Sequence, residues 1–247
     1  MRVKFLQYNI AACRNYEFDK NSRTVIEQRT LDAIRDFDAD IVTVNEIDEN
    51  TKRSGNVNQP KLISDALGYN YYFAPSIELE GGHYGIALFS KYDIISAQMI
   101  RIPDCFDCTG RLLERRVIIS AVLDVEGRQL RVMMSHYGLS PAEQENAVEC
   151  TLKELENSAL PTIFSGDLNM KPDNPLIKKL SLHLNDSATL FKTLPITYPS
   201  WGEDDCCDTL GKKIDYIFAK GEIKAENVLV PQVRVSDHLP YYCELSF

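Results

Sequence analysis

No stretch of the chain approaches the roughly 20 consecutive apolar residues that a membrane-spanning helix requires, so none is expected to cross a bilayer. The first residues do not read as a secretory leader either. Met1-Arg2-Val3-Lys4-Phe5-Leu6-Gln7-Tyr8-Asn9-Ile10 alternates from its start and lacks the run of about 7–15 apolar residues at a leader's centre. It reads as a first strand, and the expected location is cytoplasmic. Histidine is scarce, four in 247 residues, with no HxxxH pair and no spaced His/Cys set. A catalytic zinc ion usually takes three such protein ligands, so zinc is disfavoured. The seven cysteines are an odd number in a chain too long to need stapling, which argues against a disulfide framework. Cys105-Phe-Asp-Cys108 and the adjacent Cys206-Cys207 lack the spaced partners of a zinc module and are read as reduced thiols in two loops. Cationic residues are in deficit, 27 Lys+Arg against 36 Asp+Glu, for a net charge of −9. That excludes a surface that grips nucleic acid over its whole extent, but not a small basic pocket.

What is present is an ordinary globular composition, 44% apolar and 26% charged. It excludes disordered and fibrous classes, and the chain can bury a sizeable core. There is no internal repeat, low-complexity tract or linker, so residues 1–247 are read as one α/β domain in which strands and helices interleave. After the first strand, Ile26, Thr30, Ile34 and Phe37 keep helical spacing. Asp40-Ile-Val-Thr-Val-Asn-Glu46 is a buried strand that ends in charge, and Pro60 opens a short helix to Leu67. Residues 70–75 and 85–90 read as strands flanking a Gly81-Gly82 turn, and 117–123 pairs with 130–136 through Glu126-Gly127. Ser140, Pro141 and Glu143 make a capping box for the next helix. Residues 160–165, 213–219, 227–230 and 241–247 supply the later strands. Four long loops are left, 48–60, 74–84, 101–114 and 196–212.

One pattern repeats along the chain. An apolar strand ends, and a carboxylate, amide or imidazole stands at or just past its end. Asn9 closes the first strand, Glu46 the second and His136 the hairpin strand. Gly166-Asp167-Leu168-Asn169 follows another, Asp215 sits in Ile214-Asp215-Tyr216, and Ser236-Asp237-His238-Leu239-Pro240 precedes the last. A buried polar group without a partner costs several kcal/mol, so these groups are expected to converge on something that satisfies them. A divalent cation with an anionic substrate would do so.

Together and in this order, Tyr8-Asn9, Asn45-Glu46, Ser135-His136, Gly166-Asp167-Leu168-Asn169, Ile214-Asp215-Tyr216 and Ser236-Asp237-His238-Leu239-Pro240 resemble the motifs of the endonuclease/exonuclease/phosphatase superfamily, deoxyribonuclease-like metal-dependent phosphohydrolases. Leu168 stands where that family usually has Phe, which leaves the polar groups untouched. The resemblance implies a four-layer α/β sandwich, two packed mixed β-sheets flanked by helices, with the site at one rim.

A phosphodiester repels nucleophiles, so its hydrolysis needs charge neutralisation, an activated water and help for the leaving oxygen. Glu46 offers hard carboxylate oxygen suited to Mg²⁺ or Mn²⁺, and the resemblance implies Asn9 and Asp237 as further or water-mediated metal partners. Asp167 is the candidate to orient and deprotonate the water, with Asn169 donating to a phosphoryl oxygen. His238 can donate to the phosphate while Asp215 holds its other ring nitrogen. The resemblance assigns His136 to the phosphate or the leaving oxygen, and Arg116 is read as a phosphate or carboxylate partner. Arg53, Gln59, His83, Tyr84 and Trp201 are candidate substrate contacts on the loops, where such a fold sets its specificity. Two other readings are weighed. A binding module that kept the fold and lost the chemistry should lack part of this set, and no member is missing. A nuclease of the abasic-site type should carry basic rim loops, whereas Glu203, Asp204, Asp205 and Asp208 crowd one loop here. The expected substrate is therefore a small phosphodiester or phosphorylated headgroup rather than extended duplex.

Overall fold

The computed structural model describes residues 1–17, 23–199 and 211–247. Its strands are β1 (Arg2–Asn9), β2 (Ile41–Glu49), β3 (Asn70–Leu79), β4 (Gly82–Ser90), β5 (Asp93–Arg101), β6 (Val117–Val125), β7 (Arg128–His136), β8 (Thr162–Asp167), β9 (Asn185–Asp186), β10 (Asp215–Lys220), β11 (Lys224–Leu229) and β12 (Tyr241–Ser246). The α-helices are α1 (Glu27–Arg35), α2 (Gln59–Leu67), α3 (Pro141–Glu156) and α4 (Pro175–Ser181). One six-stranded sheet runs β11-β12-β1-β2-β4-β3 and the other β5-β6-β7-β8-β10-β9. Each is mixed, since β1–β2 and β7–β8 are parallel and the remaining pairs antiparallel. Among the described residues, no helix is long and apolar enough to cross a membrane.

Three apolar clusters define four layers. Leu31, Ala33 and Ile34 of α1 and Ile63 of α2 pack on Leu6, Tyr8, Val42 and Val44 of the first sheet. Ala147, Val148 and Leu155 of α3 and Ile177 and Leu180 of α4 pack on Met133, Phe164, Tyr216 and Phe218 of the second. Between the sheets lies the third cluster, with Val3, Phe5, Ile41 and Leu88 facing Ile119, Val132, Met134, Ile163 and Ile217. The capping box of α3 forms as expected: the Ser140 hydroxyl accepts from Glu143 N, and the Glu143 carboxylate accepts from Ser140 N.

Because side chains alternate along a strand, one face of each central strand points between the sheets. On β1 that face reads Val3, Phe5, Gln7, Asn9, and on β2 Ile41, Thr43, Asn45. On β8 it reads Ile163, Ser165, Asp167, and on β10 Asp215, Ile217, Ala219. All turn from apolar to polar toward the same rim. A hydrogen-bonded ladder there ties the sheets together. Gln7 Nε2 donates to Asn45 Oδ1 (2.6 Å), the Thr43 hydroxyl donates to Gln7 Oε1 (2.8 Å), and Thr43 and Ser165 hydroxyls meet at 2.9 Å. Asn45 then bridges to the second sheet, donating to Ser135 O (3.0 Å) and accepting from Asp167 N (2.9 Å).

Parts of the reading from sequence need correction. Residues 74–84 are not a loop; β3 and β4 extend through them to a turn at Glu80–Gly81. Pro75 does not stop β3, because β3 is an edge strand, where proline is tolerated, and its register shifts between Pro75 and Ile77. Strand β5 and helix α4 were not anticipated. Gln59 is not a rim contact: it is fully buried, accepting from Asp48 N (3.0 Å) and donating to Ala12 O (3.0 Å). Trp201, the four rim carboxylates at 203–208 and Cys206-Cys207 lie outside the described residues. Of the other cysteines, Cys105 and Cys108 are free thiols, as read.

Gly166 is needed where β8 passes β7. Its φ is 145°, and a Cβ there would stand 1.9 Å from Ser135 O. Overpacking alone typically costs about 1–3 kcal/mol. Gly166→Ala is expected to lower the Tm by several degrees, on the scale of about 2–4 °C per kcal/mol for a chain of this size. Thermal unfolding with an unchanged Tm would contradict the packing described.

Candidate active site

The polar rim opens into a concave pocket of ≈ 690 Å³, within the about 300–1,000 Å³ typical of ligand sites. Glu46, Asp167, Asp237, His136, His238 and Asn169 line it. Its upper wall comes from Ile77, Leu79 and Tyr84 of the β3–β4 hairpin, Glu114 and Arg116 before β6, Leu139 before α3, and Tyr198.

Glu46 reaches the pocket through a bulge. The β2–β4 register shifts between Asn45 and Ile47, and Glu46 has φ 57°. A bulge re-aims one side chain, and here it turns a carboxylate off the strand face toward the rim. Asn9 meets it from β1. Asn9 Oδ1 accepts from Ala11 N (3.1 Å), which fixes the amide so that Nδ2 donates to Glu46 Oε1 and Asp167 Oδ2, both at 3.1 Å. Ala11, Ala12 and Cys13 all have positive φ (48°, 54°, 58°). Left-handed non-glycine residues cost roughly 1–2 kcal/mol each, and here they bend the chain away directly behind Asn9.

Asp167 closes β8 against β10, opposite Asp215. Asn169 N donates to Asp167 Oδ1 (3.0 Å). The Asn169 amide, on a residue with φ 51°, donates to Tyr137 O (3.0 Å) and lies 3.3 Å from His136 Nε2. Asp215 is aimed by Thr197, whose hydroxyl oxygen accepts from Ile214 N (3.1 Å) and Asp215 N (3.0 Å). Asp215 Oδ2 then holds His238 Nδ1 at 2.8 Å, and the His238 ring rests against Tyr198 at 4.8 Å between centroids. Its Nε2 keeps only long contacts, 3.4 Å to Asn9 Nδ2 and 3.5 Å to Asp167 Oδ2. The Ser236 hydroxyl ties this turn to β1, lying 2.8 Å from Asn9 O and 3.2 Å from Asp237 Oδ1.

The electrostatics follow from burial and mutual repulsion. Burial pushes the Asp167 carboxyl above the usual carboxylate range, with the charge of Asp215 adding to the rise and that of His238 opposing it. Burial alone would lower the His238 imidazole, but Asp215 and Asp167 outweigh it and favour the protonated ring. His136 Nε2 also lies 3.5 Å from Asp167 Oδ2, but this ring is shifted the other way. Burial and the positive charges of Arg116 and His238 hold it well below the ordinary histidine value, as a neutral ring.

Of the predicted site residues, Asn9, Glu46, His136, Asp167, Asn169, Asp215, Asp237 and His238 converge. Arg116, Arg53 and Tyr84 line the same pocket. Arg116 Nη1 lies 3.0 Å from Glu114, and Arg53 is forked onto Asp48 at 2.7 and 2.8 Å. His83 is not brought to this pocket; its Nδ1 lies 3.1 Å from Glu49 Oε2. Sequence reasoning missed Asn45, Thr197, Tyr198 and Glu114. Asn45 was visible as half of an Asn-Glu pair; the other three act only through tertiary placement.

The donor set suits a hard cation. Glu46, Asp167, Asp215 and Asp237 crowd together, and Asp215 Oδ1 is buried with no hydrogen-bond partner, an electrostatic excess that a divalent ion would offset. Asp167, Asp215 and His238 each present a ligand atom within 4.8 Å of the others, so this buried group could hold a metal. The hydrogen bond on His238 Nδ1 and the drive to protonate that ring work against it as a ligand. Glu46 is the more open carboxylate: its Oε2 has Arg14 Nη2 at 3.9 Å, beyond hydrogen-bond reach.

No curated protein matches the chain in sequence. Solved structures share its fold. An endonuclease/exonuclease/phosphatase from Beutenbergia cavernae superposes with TM-score 0.80 at 18% identity, over 100% of this chain and 72% of that one. A mannosyl-6-phosphatase from Bacteroides thetaiotaomicron gives 0.74 at 17% identity, covering 99% and 100%. The human nocturnin catalytic domain with bound sulfate gives 0.70 at 22% identity, covering 100% and 93%. The profile of the Endonuclease/Exonuclease/phosphatase family matches residues 6–238, from the strand that carries Asn9 to the His238 imidazole, and the chain therefore belongs to that family of phosphoester hydrolases.

Proposed function

We propose that the protein is a divalent-cation-dependent hydrolase of small phosphoesters. The observation that carries this reading is Asp167: a buried carboxylate of raised proton affinity, fixed by Asn9, Asn45 and Asn169, on the floor of a concave pocket. A base whose pKa lies nearer the working pH accepts a proton from water more readily than an ordinary carboxylate. Asp167 orients the attacking water and takes its proton. His238, held by Asp215, donates from Nε2 to a phosphoryl oxygen, and its long contacts there leave that hydrogen free to turn to substrate. Asn169 donates to a second oxygen by giving up its 3.3 Å contact with His136. His136, neutral, lies beside the leaving oxygen, and Arg116 pairs with phosphate charge. Glu46 is the residue that would hold Mg²⁺ or Mn²⁺, with Asp237 and the second lone pair of Asn9 Oδ1 as further or water-mediated partners. A cation bound there supplies charge neutralisation at the phosphoryl group.

The small-substrate preference rests on the pocket's concave shape and on its described cations, Arg53, Arg116 and Lys212, being gathered in that one lining rather than strung along an extended face. Arg111 and Arg115 are turned to Asp107 and Asp104, 3.2 Å away in each case, and neither lines the pocket. Duplex binding requires several phosphate contacts at once, with a salt slope near about −0.9 per neutralised phosphate. Excess chelator should abolish hydrolysis and Mg²⁺ or Mn²⁺ restore it, and Glu46→Gln should raise the half-saturating metal concentration on the order of tenfold or more. Full activity in chelator overturns the reading. A higher kcat/KM on an abasic-site duplex than on a small phosphodiester at physiological salt, with a steep salt slope, overturns the size preference.

A further inference from the structure

Beside the main pocket lies a second cavity of ≈ 260 Å³, walled by Ala12, Arg14, Arg23, Val25, Arg53 and Glu80. Arg53 lines both cavities, and Arg14 reaches from this one to within 3.9 Å of the Glu46 carboxylate. The two spaces are thus joined through guanidinium groups.

Each guanidinium has five N–H donors in a planar fork. Arg14 spends one, from Nε to Ala11 O at 3.0 Å. Arg53 spends Nε and one Nη2 hydrogen on the two oxygens of buried Asp48, which locks its plane and leaves Nη1 unspent. Arg23 is exposed, and no hydrogen bond or ion pair joins it to another described residue. Tyrosine rings support two of the three planes: Arg14 lies 5.6 Å from the Tyr16 centroid and Arg53 5.3 Å from that of Tyr84. Against these donors the wall offers, among the described residues, one carboxylate, exposed Glu80. Three forks with hydrogens to spare around a small cavity match a ligand rich in acceptors on several sides. A phosphate group, with three terminal oxygens and up to two charges, is that ligand.

We propose that this cavity is a second anion subsite, which holds a second phosphate of the substrate while the first is cleaved in the main pocket. The preferred substrates are then small bisphosphorylated compounds. The cleavage half rests on the function proposed above; the binding half does not.

The decisive experiment titrates inorganic phosphate calorimetrically into the metal-free full chain in excess chelator. Glu46, Asp167 and Asp237 then repel an anion from the main pocket. One saturable phosphate is expected, with Kd of about 1 mM or tighter. Arg23→Ala, an exposed position whose fold is checked by Tm, should weaken it by about tenfold or more, whereas Arg116→Ala should not. No saturable binding overturns the subsite, as does binding that Arg116→Ala removes and Arg23→Ala leaves. With Mg²⁺, the ratio of kcat/KM for glucose 1,6-bisphosphate over glucose 6-phosphate should fall about tenfold in Arg23→Ala, mainly through KM; an unchanged ratio overturns the substrate class. Arginine-dependent phosphate binding without hydrolysis of any phosphoester would support the subsite and overturn the hydrolase reading alone.

Discussion

Asp167→Asn should lower kcat by about 10²–10⁴-fold, the usual loss when a positioned acid or base is removed. The side chain keeps its size, so the pocket and the packing of β8 against β10 persist. What is lost is the carboxylate lone pair to which the proposed function assigns the water's proton. The substitution also removes one of four crowded carboxylates, and this gives an independent readout in chelator. A carboxyl whose folded-state pKa is raised stabilises the protein at pH below its unfolded value and loses that contribution as pH rises through the folded value. The metal-free protein should therefore become less stable as pH climbs above the ordinary carboxylate range, and the fall should be shallower in Asp167→Asn. Retention of more than about a tenth of kcat would show that Asp167 is not the base. An equal pH slope of Tm in the two proteins would show that its raised proton affinity is not real.

His238→Ala should cost a comparable 10²–10⁴-fold or so in kcat. Its Nδ1 is committed to Asp215, and its Nε2, which keeps only long contacts, is the donor proposed for a phosphoryl oxygen. The alanine variant also strands Asp215, a buried carboxylate with one oxygen already unpartnered, and part of its effect is on stability. His238→Gln restores a donor toward Asp215 and separates the two effects. It should recover most of the Tm lost in the alanine variant and little of the rate. Leu239→Ile, one residue on and buried, should keep most of the rate. A His238→Gln protein as active as wild type would remove the imidazole from the mechanism.

The site was legible in the sequence because it is made of strand ends. Alternation along 3-5-7-9, 41-43-45 and 163-165-167 places each terminal polar group on the inward face, and inward faces of packed sheets must meet. Strand β5 gave no such signal: Asp93-Ile-Ile-Ser-Ala-Gln-Met-Ile-Arg101 is an edge strand with an irregular burial pattern and a register shift near Ile94. Helix α4 is only seven residues, too short for a periodicity, although Asn174 followed by Pro175 is a start signal that could have been read. The left-handed conformation of Glu46 could not be foreseen, since glutamate has no preference for it. Nor could the confluence of Arg14, Arg23 and Arg53, which depends on a tertiary approach of segments far apart in sequence.

Strand β1 lies inside its sheet, parallel to β2 on one side and antiparallel to β12 on the other, with Arg2 opposite Ser246. Asn9 and His238, 229 positions apart, meet only after that last strand has docked. A ribosome-borne chain that has emerged through β10 already carries Glu46, Asp167 and Asp215, yet it has no His238 beside them, and one edge of β1 is bare. Until β12 docks, the rim lacks the contact between Asn9 and His238. Over the same interval the unpaired β1 edge is the surface that a nascent-chain chaperone would have to shield.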